Sequence, residues 1–246
     1  MIAPFLSLII PAHNEETRLP ETLSQVVEFA SKQSYPIEVL VVENGSQDRT
    51  FEIAQGFAAQ HPKVHILQNS EKGKGRAVQR GMLAAKGEYR FMCDADLSMP
   101  LSEINRFLPP DVGGYDIAIA SREAPGAVRY DEPYYRHFVG RIYNGLIRLL
   151  ALPGLQDTQC GFKCFRGLVA EDLFRRQTLM GWSFDVEVLF IARLLGYRVI
   201  EIPVQWYYNS HSKIRVASDS FKMGIDLLTI RLNALRGVYT QPNARL

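Results

Sequence analysis

Asp94 and Asp96 stand one residue apart in Asp94-Ala95-Asp96, where the apolar run Tyr89-Arg90-Phe91-Met92-Cys93 ends. Two carboxylates at that spacing, where a buried strand surfaces, offer oxygen ligands to a divalent cation such as Mg²⁺ or Mn²⁺, which keeps open positions for substrate phosphates. Asp-x-Asp is also an ordinary turn sequence, and a solvated strand end is the competing reading. Its position decides the weight it carries. The run Phe5-Leu6-Ser7-Leu8-Ile9-Ile10 ends at Pro11 and leads into Ala12-His13-Asn14-Glu15-Glu16, and Ile37-Glu38-Val39-Leu40-Val41-Val42 breaks into Glu43-Asn44-Gly45-Ser46. Acidic and polar residues therefore gather at three strand ends.

Short runs rich in branched residues and bounded by turn formers read as strands buried on both faces. Helical patterns follow them, from about Leu19 to Gln33, from Thr50 to His61, and from the loop Lys72-Gly73-Lys74-Gly75-Arg76 to about Ala85. Strand, polar loop and helix in repetition predict an α/β fold, a mostly parallel central sheet with helices on both faces. In such sheets ligands sit beyond the carboxyl ends of the strands. The Lys72–Arg76 loop lacks the spacing of a Walker loop, but glycines and amides at a helix start favour an anion.

The chain of 246 residues suffices for one α/β domain with a large core, and no linker, repeat or low-complexity tract divides it. Its formal net charge of +2 argues against nucleic acid as a partner. Three cysteines, with Cys93 and Cys164 in apolar contexts, point to reduced thiols and a cytoplasmic setting. Cys160 and Cys164 are too few for a zinc site. Met1-Ile2-Ala3-Pro4 runs straight into the first strand, so no leader is expected, and no segment reaches the roughly 18 apolar residues of a membrane span.

Two segments are amphipathic instead. Tyr134 to Ala151 sets Tyr134, Phe138, Val139, Ile142, Tyr143, Leu146, Leu149 and Leu150 on one broad face, and His137, Arg141, Asn144 and Arg148 opposite. Phe221 to Leu235 repeats the pattern with Phe221, Ile225, Leu228, Leu232 and Leu235. Each either packs on the protein core or lies in the headgroup plane of a membrane as a peripheral contact.

The chain resembles family 2 glycosyltransferases with the GT-A fold, and within them the polyprenyl- and dolichyl-phosphate hexosyltransferases. The resemblance covers roughly residues 5 to 215. It rests on Pro11-Ala12-His13-Asn14-Glu15-Glu16, Glu43-Asn44-Gly45-Ser46, Lys72-Gly73-Lys74-Gly75, Asp94-Ala95-Asp96 and Ser121-Arg122. Further on it continues through Asp157-Thr158-Gln159-Cys160-Gly161-Phe162-Lys163, Trp182-Ser183-Phe184-Asp185-Val186-Glu187 and Ser212-Lys213. The two motifs after residue 150 resemble the dolichyl-phosphate β-glucosyltransferase branch more than the mannosyl one.

The resemblance implies a catalytic domain over 1–215, with 216–246 as a C-terminal amphipathic helix and tail of the same domain. It implies a nucleotide-sugar donor, UDP-glucose before GDP-mannose, and a polyprenyl phosphate acceptor. Asp96 is the expected metal ligand, with Asp94 sharing the metal or touching the ribose and Ser98 standing at the third-ligand position. Pro11, His13, Glu15, Glu43 and Lys74 are expected around the nucleotide, although most relatives carry two aspartates where this chain has Glu43-Asn44. Asp157 and Gln159 are expected to line the sugar pocket, and Arg122, Arg136 and Lys213 to hold the acceptor phosphate.

A lipid monophosphate is already anionic at pH 7, so such an acceptor needs cations and no general base. A hydroxyl acceptor needs a base, and Asp157 occupies the place for one. A non-catalytic nucleotide-sugar sensor is a further alternative, motivated by Glu43-Asn44 and Ser98. Other residues read as structural: Asp48 as a helix cap, Trp182 as core, Arg129 as a surface residue, with Glu15 open to a capping role.

Overall fold

Alternation along the first strand sorts the core into two layers. In the computed structural model, which describes residues 3–209 and 216–240, β1 (Leu6–Ala12) sends Leu6, Leu8 and Ile10 against Leu19, Leu23 and Val26 of α1 (Leu19–Lys32). Ile9 points the other way, into a second layer with Ala77, Val78 and Met82 of α3 (Lys74–Ala84). A strand whose alternate residues meet different helix layers must be largely apolar, and the one polar side chain of β1, Ser7, is buried with its hydroxyl donating to Glu38.

The remaining elements follow in order: β2 (Ile37–Asn44), α2 (Thr50–Gln60), β3 (Val64–Asn69), then α3, β4 (Tyr89–Cys93), β5 (Ile117–Ser121), β6 (Val128–Tyr130) and α4 (Tyr134–Leu150). After these come β7 (Phe162–Arg166), α5 (Gly167–Arg176), α6 (Phe184–Leu194), β8 (Val199–Pro203), β9 (Gln205–Tyr207) and α7 (Val216–Leu235). Seven strands form the central sheet in the order β3-β2-β1-β4-β7-β5-β8, and β6 pairs with β9 in a small second sheet. All central pairings are parallel except those of β7, which runs antiparallel between β4 and β5. The expected sheet and its two helical layers are thus present. The expected first strand is longer than the sequence suggests, because β1 continues through Pro11. On the β4 side pairing ends at Ile9, so the donor that proline lacks falls where the strand has a neighbour on one side only.

Among the described residues no helix is long and apolar enough to cross a membrane. The inward stripe of α4 is Asn144, Ile147 and, just past its end, Ala151, which corrects the expectation that Asn144 lies on the outer polar side. The stripe Ile142, Leu146 and Leu149 is exposed, as is Ile225, Leu228, Leu232 and Leu235 on α7. Met223, Leu227 and Ile230 carry the inward packing of α7, which contacts both α6 and α4. The side chains of Phe138, Val139, Tyr143 and Phe221 lie outside the described set.

Candidate active site

The turn after β4 is tied from three directions. The Asp94 N–H donates to the Gly161 carbonyl (3.1 Å), the Leu97 N–H to the Asp94 carbonyl (3.3 Å), and the Thr22 hydroxyl of α1 to the Ala95 carbonyl (2.7 Å). Gly161 is required here by space: a Cβ at that position would lie 1.8 Å from Asp94 Oδ2. Lys74 reaches both Asp94 oxygens, at 2.7 and 2.8 Å, and its ammonium lies 5.4 Å from the centre of the Trp182 ring. Trp182 is half-buried beside this lysine, so it belongs to the site and not to the core, contrary to its sequence reading.

Asp96 is less well compensated. Burial first, and the Asp94 charge second, hold its carboxyl above the ordinary range, against one N–H from Ser98 at 3.0 Å and the more distant pull of Lys74. Ser98 therefore orients Asp96 through both its backbone N–H and its side chain, and its own carbonyl accepts the Tyr207 N–H. For Lys74 burial favours the neutral form, but Asp94 and then Asp185 outweigh it and the ammonium is held charged. Asp185 is itself pushed up by burial and is held by Lys163, whose Nζ lies 2.7 Å away and also donates to the Cys160 carbonyl.

This donor set fits a divalent ion shared with a substrate. Asp94 and Asp96 offer carboxylate oxygens, and a cation beside Asp96 would relieve both influences that raise its pKa. Among the described residues no group of three His, Cys, Asp or Glu side chains converges on one point. The set is therefore too small for a closed cage. Mg²⁺-type sites of one or two carboxylates completed by substrate phosphates have that composition.

The two loops beside this turn brace each other. The Asn14 N–H donates to Ser46 Oγ (3.0 Å) and Asn14 Oδ1 accepts from the Gln47 N–H (2.8 Å), while the Glu15 N–H donates to Thr50 Oγ1 (2.7 Å). His13 Nδ1 lies 2.8 Å from the Asn44 carbonyl, which makes it the donor in that contact. Glu15 is buried and paired with Arg18 at 2.6 Å, and α1 opens with no side-chain cap. Glu43 is also buried, with the Ser46 N–H on its Oε1 at 2.5 Å, so at least one of its oxygens serves the loop. Its neighbour Asn44 is the residue that sequence reasoning missed: its buried Oδ1 has no partner among the described residues. Pro11 is half-buried at the end of the same strand group. Asp48 takes the Thr50 N–H and the Glu16 N–H, as its reading as a cap requires.

The amides at the start of α3 are not open to an anion as the glycines suggest. Gly75 N–H donates to Gly181 and Arg76 N–H to Met180.

Across the sheet, Asp157 and Arg122 form a closed pair. Asp157 is fully buried and accepts from Arg122 through the backbone N–H (3.0 Å), Nε (2.6 Å) and Nη2 (2.9 Å), and from the Gln159 N–H (3.3 Å). Burial pushes its carboxyl up, but Arg122 outweighs that and lowers it to about 2. Asp157 is thus fully enclosed, with its carboxylate engaged by Arg122 and Gln159. Gln159 beside it is half-buried. Arg122 also lies 5.5 Å from the Trp206 ring centre, with Arg129 at 5.8 Å from the same ring. Arg129 is no surface residue: it pairs with Glu123 and Glu132, each at 2.6 Å, and donates to the Arg122 carbonyl. Arg136 sits in the first turn of α4, and Lys213 lies outside the described residues. The two clusters share an electrostatic neighbourhood. Burial raises the Cys160 thiol to about 12, and the charges of Arg122, Asp157, Lys163 and Asp94 all act on it.

Comparison with known proteins agrees with this architecture. The family model described as Glycosyl transferase family 2 matches residues 7–174. The dolichyl-phosphate beta-glucosyltransferase of Drosophila melanogaster is 34% identical over 95% of this chain and 76% of its own length. The human protein of that name is 31% identical over 98% of this chain and 79% of its own. Among solved structures, glucosyl-3-phosphoglycerate synthase from Mycobacterium tuberculosis, in complex with Mn²⁺ and UDP-glucose, superposes with a TM-score of 0.63 at 15% identity. The match covers 98% of this chain and 81% of that one. At that identity the likeness speaks for the fold.

Proposed function

The chain belongs to glycosyl transferase family 2, and from that premise we propose that it transfers glucose from UDP-glucose to a dolichyl or other polyprenyl phosphate, with inversion to a β-linked product. The observation that carries the reading is the match to dolichyl-phosphate beta-glucosyltransferases along nearly the whole chain. The closed state of Asp157 supports it, since a phosphate acceptor needs no base and the residue placed for one is engaged.

Asp94 and Asp96 would hold Mg²⁺ or Mn²⁺, with Ser98 keeping Asp96 in place. When bound, the ion neutralises charge developing on the departing diphosphate. Lys74 stands on the same side and contributes a fixed positive charge there. Asn44 Oδ1 accepts an N–H from the base edge, with Glu43, Pro11, His13 and Glu15 shaping the loops around it. Uracil and guanine both present such a donor, so GDP-mannose remains the second donor. Gln159 faces the sugar. Arg122, prealigned by Asp157, binds the acceptor phosphate together with Arg136 and Lys213.

The acceptor is a lipid, and the exposed stripes on α4 and α7 suit a peripheral membrane contact. They lie on helices that touch each other, and Arg141, Arg148, Lys222, Arg231 and Arg236 are exposed alongside. A cytoplasmic setting accords with three free, buried cysteines.

The test is a transfer assay with purified protein, Mg²⁺ or Mn²⁺ and a short polyprenyl phosphate, offering UDP-glucose and GDP-mannose separately. The expected result is a glucosyl lipid from UDP-glucose that disappears with Asp96→Ala. Donor hydrolysis without a lipid product would remove the acceptor assignment. Nucleotide binding without turnover would remove the enzymatic one.

A further inference from the structure

We propose a second ligand site, separate from the end of β4: a cleft of about 550 Å³ between the outer face of α3, the loop after β3 and the end of α5, which binds a phosphate monoester dianion. Asn69, Glu71, Arg76, Gln79, Arg80 and Arg175 line it. None of these is assigned to the donor or acceptor in the reading above.

The lining holds three arginines against one glutamate, so it is positive by two charges. Charge alone would make this a solvated patch. The hydrogen bonds make it a site. Asn69 is only 6% exposed, and its Oδ1 accepts from Arg80 Nη1 at 2.9 Å, which turns its amide nitrogen the other way. That nitrogen is buried and has no partner among the described residues, and the buried Nε of Arg76 is in the same condition. Orphaned donors inside a protein are uncommon and call for an acceptor. Two of them beside a positive cleft call for an acceptor-only, anionic group, and a phosphate offers three such oxygens.

The remaining arginine bonds leave room for exchange. Arg76 meets Glu71 at 2.7 Å, but the two side chains are 40% and 70% exposed, so water weakens the pair. Arg175 pairs with Glu171, itself on α5, and keeps 41% of its surface exposed. Leu83 and Ala84 are the two apolar residues of the lining, and no aromatic side chain is among the lining residues to stack a nucleobase. The phosphate itself is the recognised group, whether free or as a lipid headgroup.

Isothermal titration of the full chain with inorganic phosphate, UDP and Mg²⁺ being present throughout, tests the site. Flotation with phosphatidate vesicles, against phosphatidylcholine vesicles, forms the second arm. Arg76→Gln and Arg175→Gln are each expected to weaken phosphate binding at least tenfold, while Asp96→Asn leaves it unchanged. Should Arg76→Gln fail to fold, Arg175→Gln on the exposed end of α5 carries the comparison. Loss in both variants in solution assigns a free phosphate ligand, and loss only on phosphatidate vesicles assigns a headgroup. Phosphate and vesicle binding that neither arginine variant alters would overturn the proposal.

Discussion

The two charged clusters, one just after β4 and the other joining the end of β5 to the loop before β7, solve opposite problems. Around Asp157 and Arg122 the charges close on each other: four donor contacts reach one carboxylate and its pKa falls to about 2. Around Asp94 and Asp96 they do not close. Lys74 serves Asp94 directly, and Asp96 is left with a pKa raised by burial and by its neighbour. A closed pair fixes geometry, whereas an open one stores an affinity for the next cation or phosphate to arrive. Structural rigidity and binding capacity are thus assigned to different carboxylates.

The comparison breaks hardest at Asp96. Replacing it with Asn removes charge from the open cluster, and turnover should fall about 10³-fold, on the order of 4 kcal/mol of transition-state stabilisation. Melting temperature should stay level or rise, since an undercompensated buried charge is gone. Steady-state kinetics beside thermal unfolding would expose the opposite pattern.

Asp157→Asn should do the reverse to stability. It strands Arg122 in a largely buried place, and the midpoint of urea unfolding should drop by the equivalent of about 3 kcal/mol. The pH dependence follows with a definite sign. A carboxyl lowered in the folded state contributes stability that is present above its unfolded pKa near 4 and lost as pH falls towards about 2. Wild-type stability should therefore decline over that window by up to about 2 kcal/mol more than that of the Asn variant.

Gly161→Ala tests how the open cluster is held. The added methyl would collide with the Asp94 carboxylate, so that side chain must swing from Lys74. Transfer should fall roughly 30-fold, about 2 kcal/mol, with metal concentration dependence shifted upwards. An unchanged metal optimum would show that Asp94 does not share the ion. The smallest effect belongs to Asp48→Ala, which touches neither cluster directly: loss of the bonds to Thr50 and Glu16 should cost about 1 kcal/mol of stability, with any kinetic change confined to the donor KM, because Glu16 belongs to the loop placed around the nucleotide. Burial raises the Asp48 pKa, but those bonds together outweigh it and lower the carboxyl, so this small contribution also fades on acidification.

Much of the scaffold was legible before any coordinates. The branched runs before Pro11, Glu43 and Asp94 were readable as strands because burial on both faces calls for apolar residues at most positions, and the polar ones, Ser7, Glu38 and Arg90, are buried with hydrogen-bond partners. α1 and α2 were readable within a residue of their ends from their periodicity. The side of α4 that faces inward was misread. A helix with apolar residues over most of its circumference does not say which stripe is covered, and here Asn144 and Ile147 were chosen over Ile142 and Leu146. Trp182 and Arg129 were misread for a related reason. Burial of an amphipathic side chain depends on what lies opposite, Lys74 for the one and Trp206 with two glutamates for the other.

What the sequence determined by itself is therefore local: which segments are strands and helices, and that acidic residues stand at three strand ends of a parallel sheet. Periodicity and turn chemistry act over a few residues, and a single chain displays them directly. The state of each charge was decided only by tertiary structure. Asp157 meets Arg122 across 35 positions and Lys74 meets Asp94 across 20, so strand order had to bring them together first. A carboxylate's chemistry depends on its desolvation and its partners, and both arise only when distant segments share one interior.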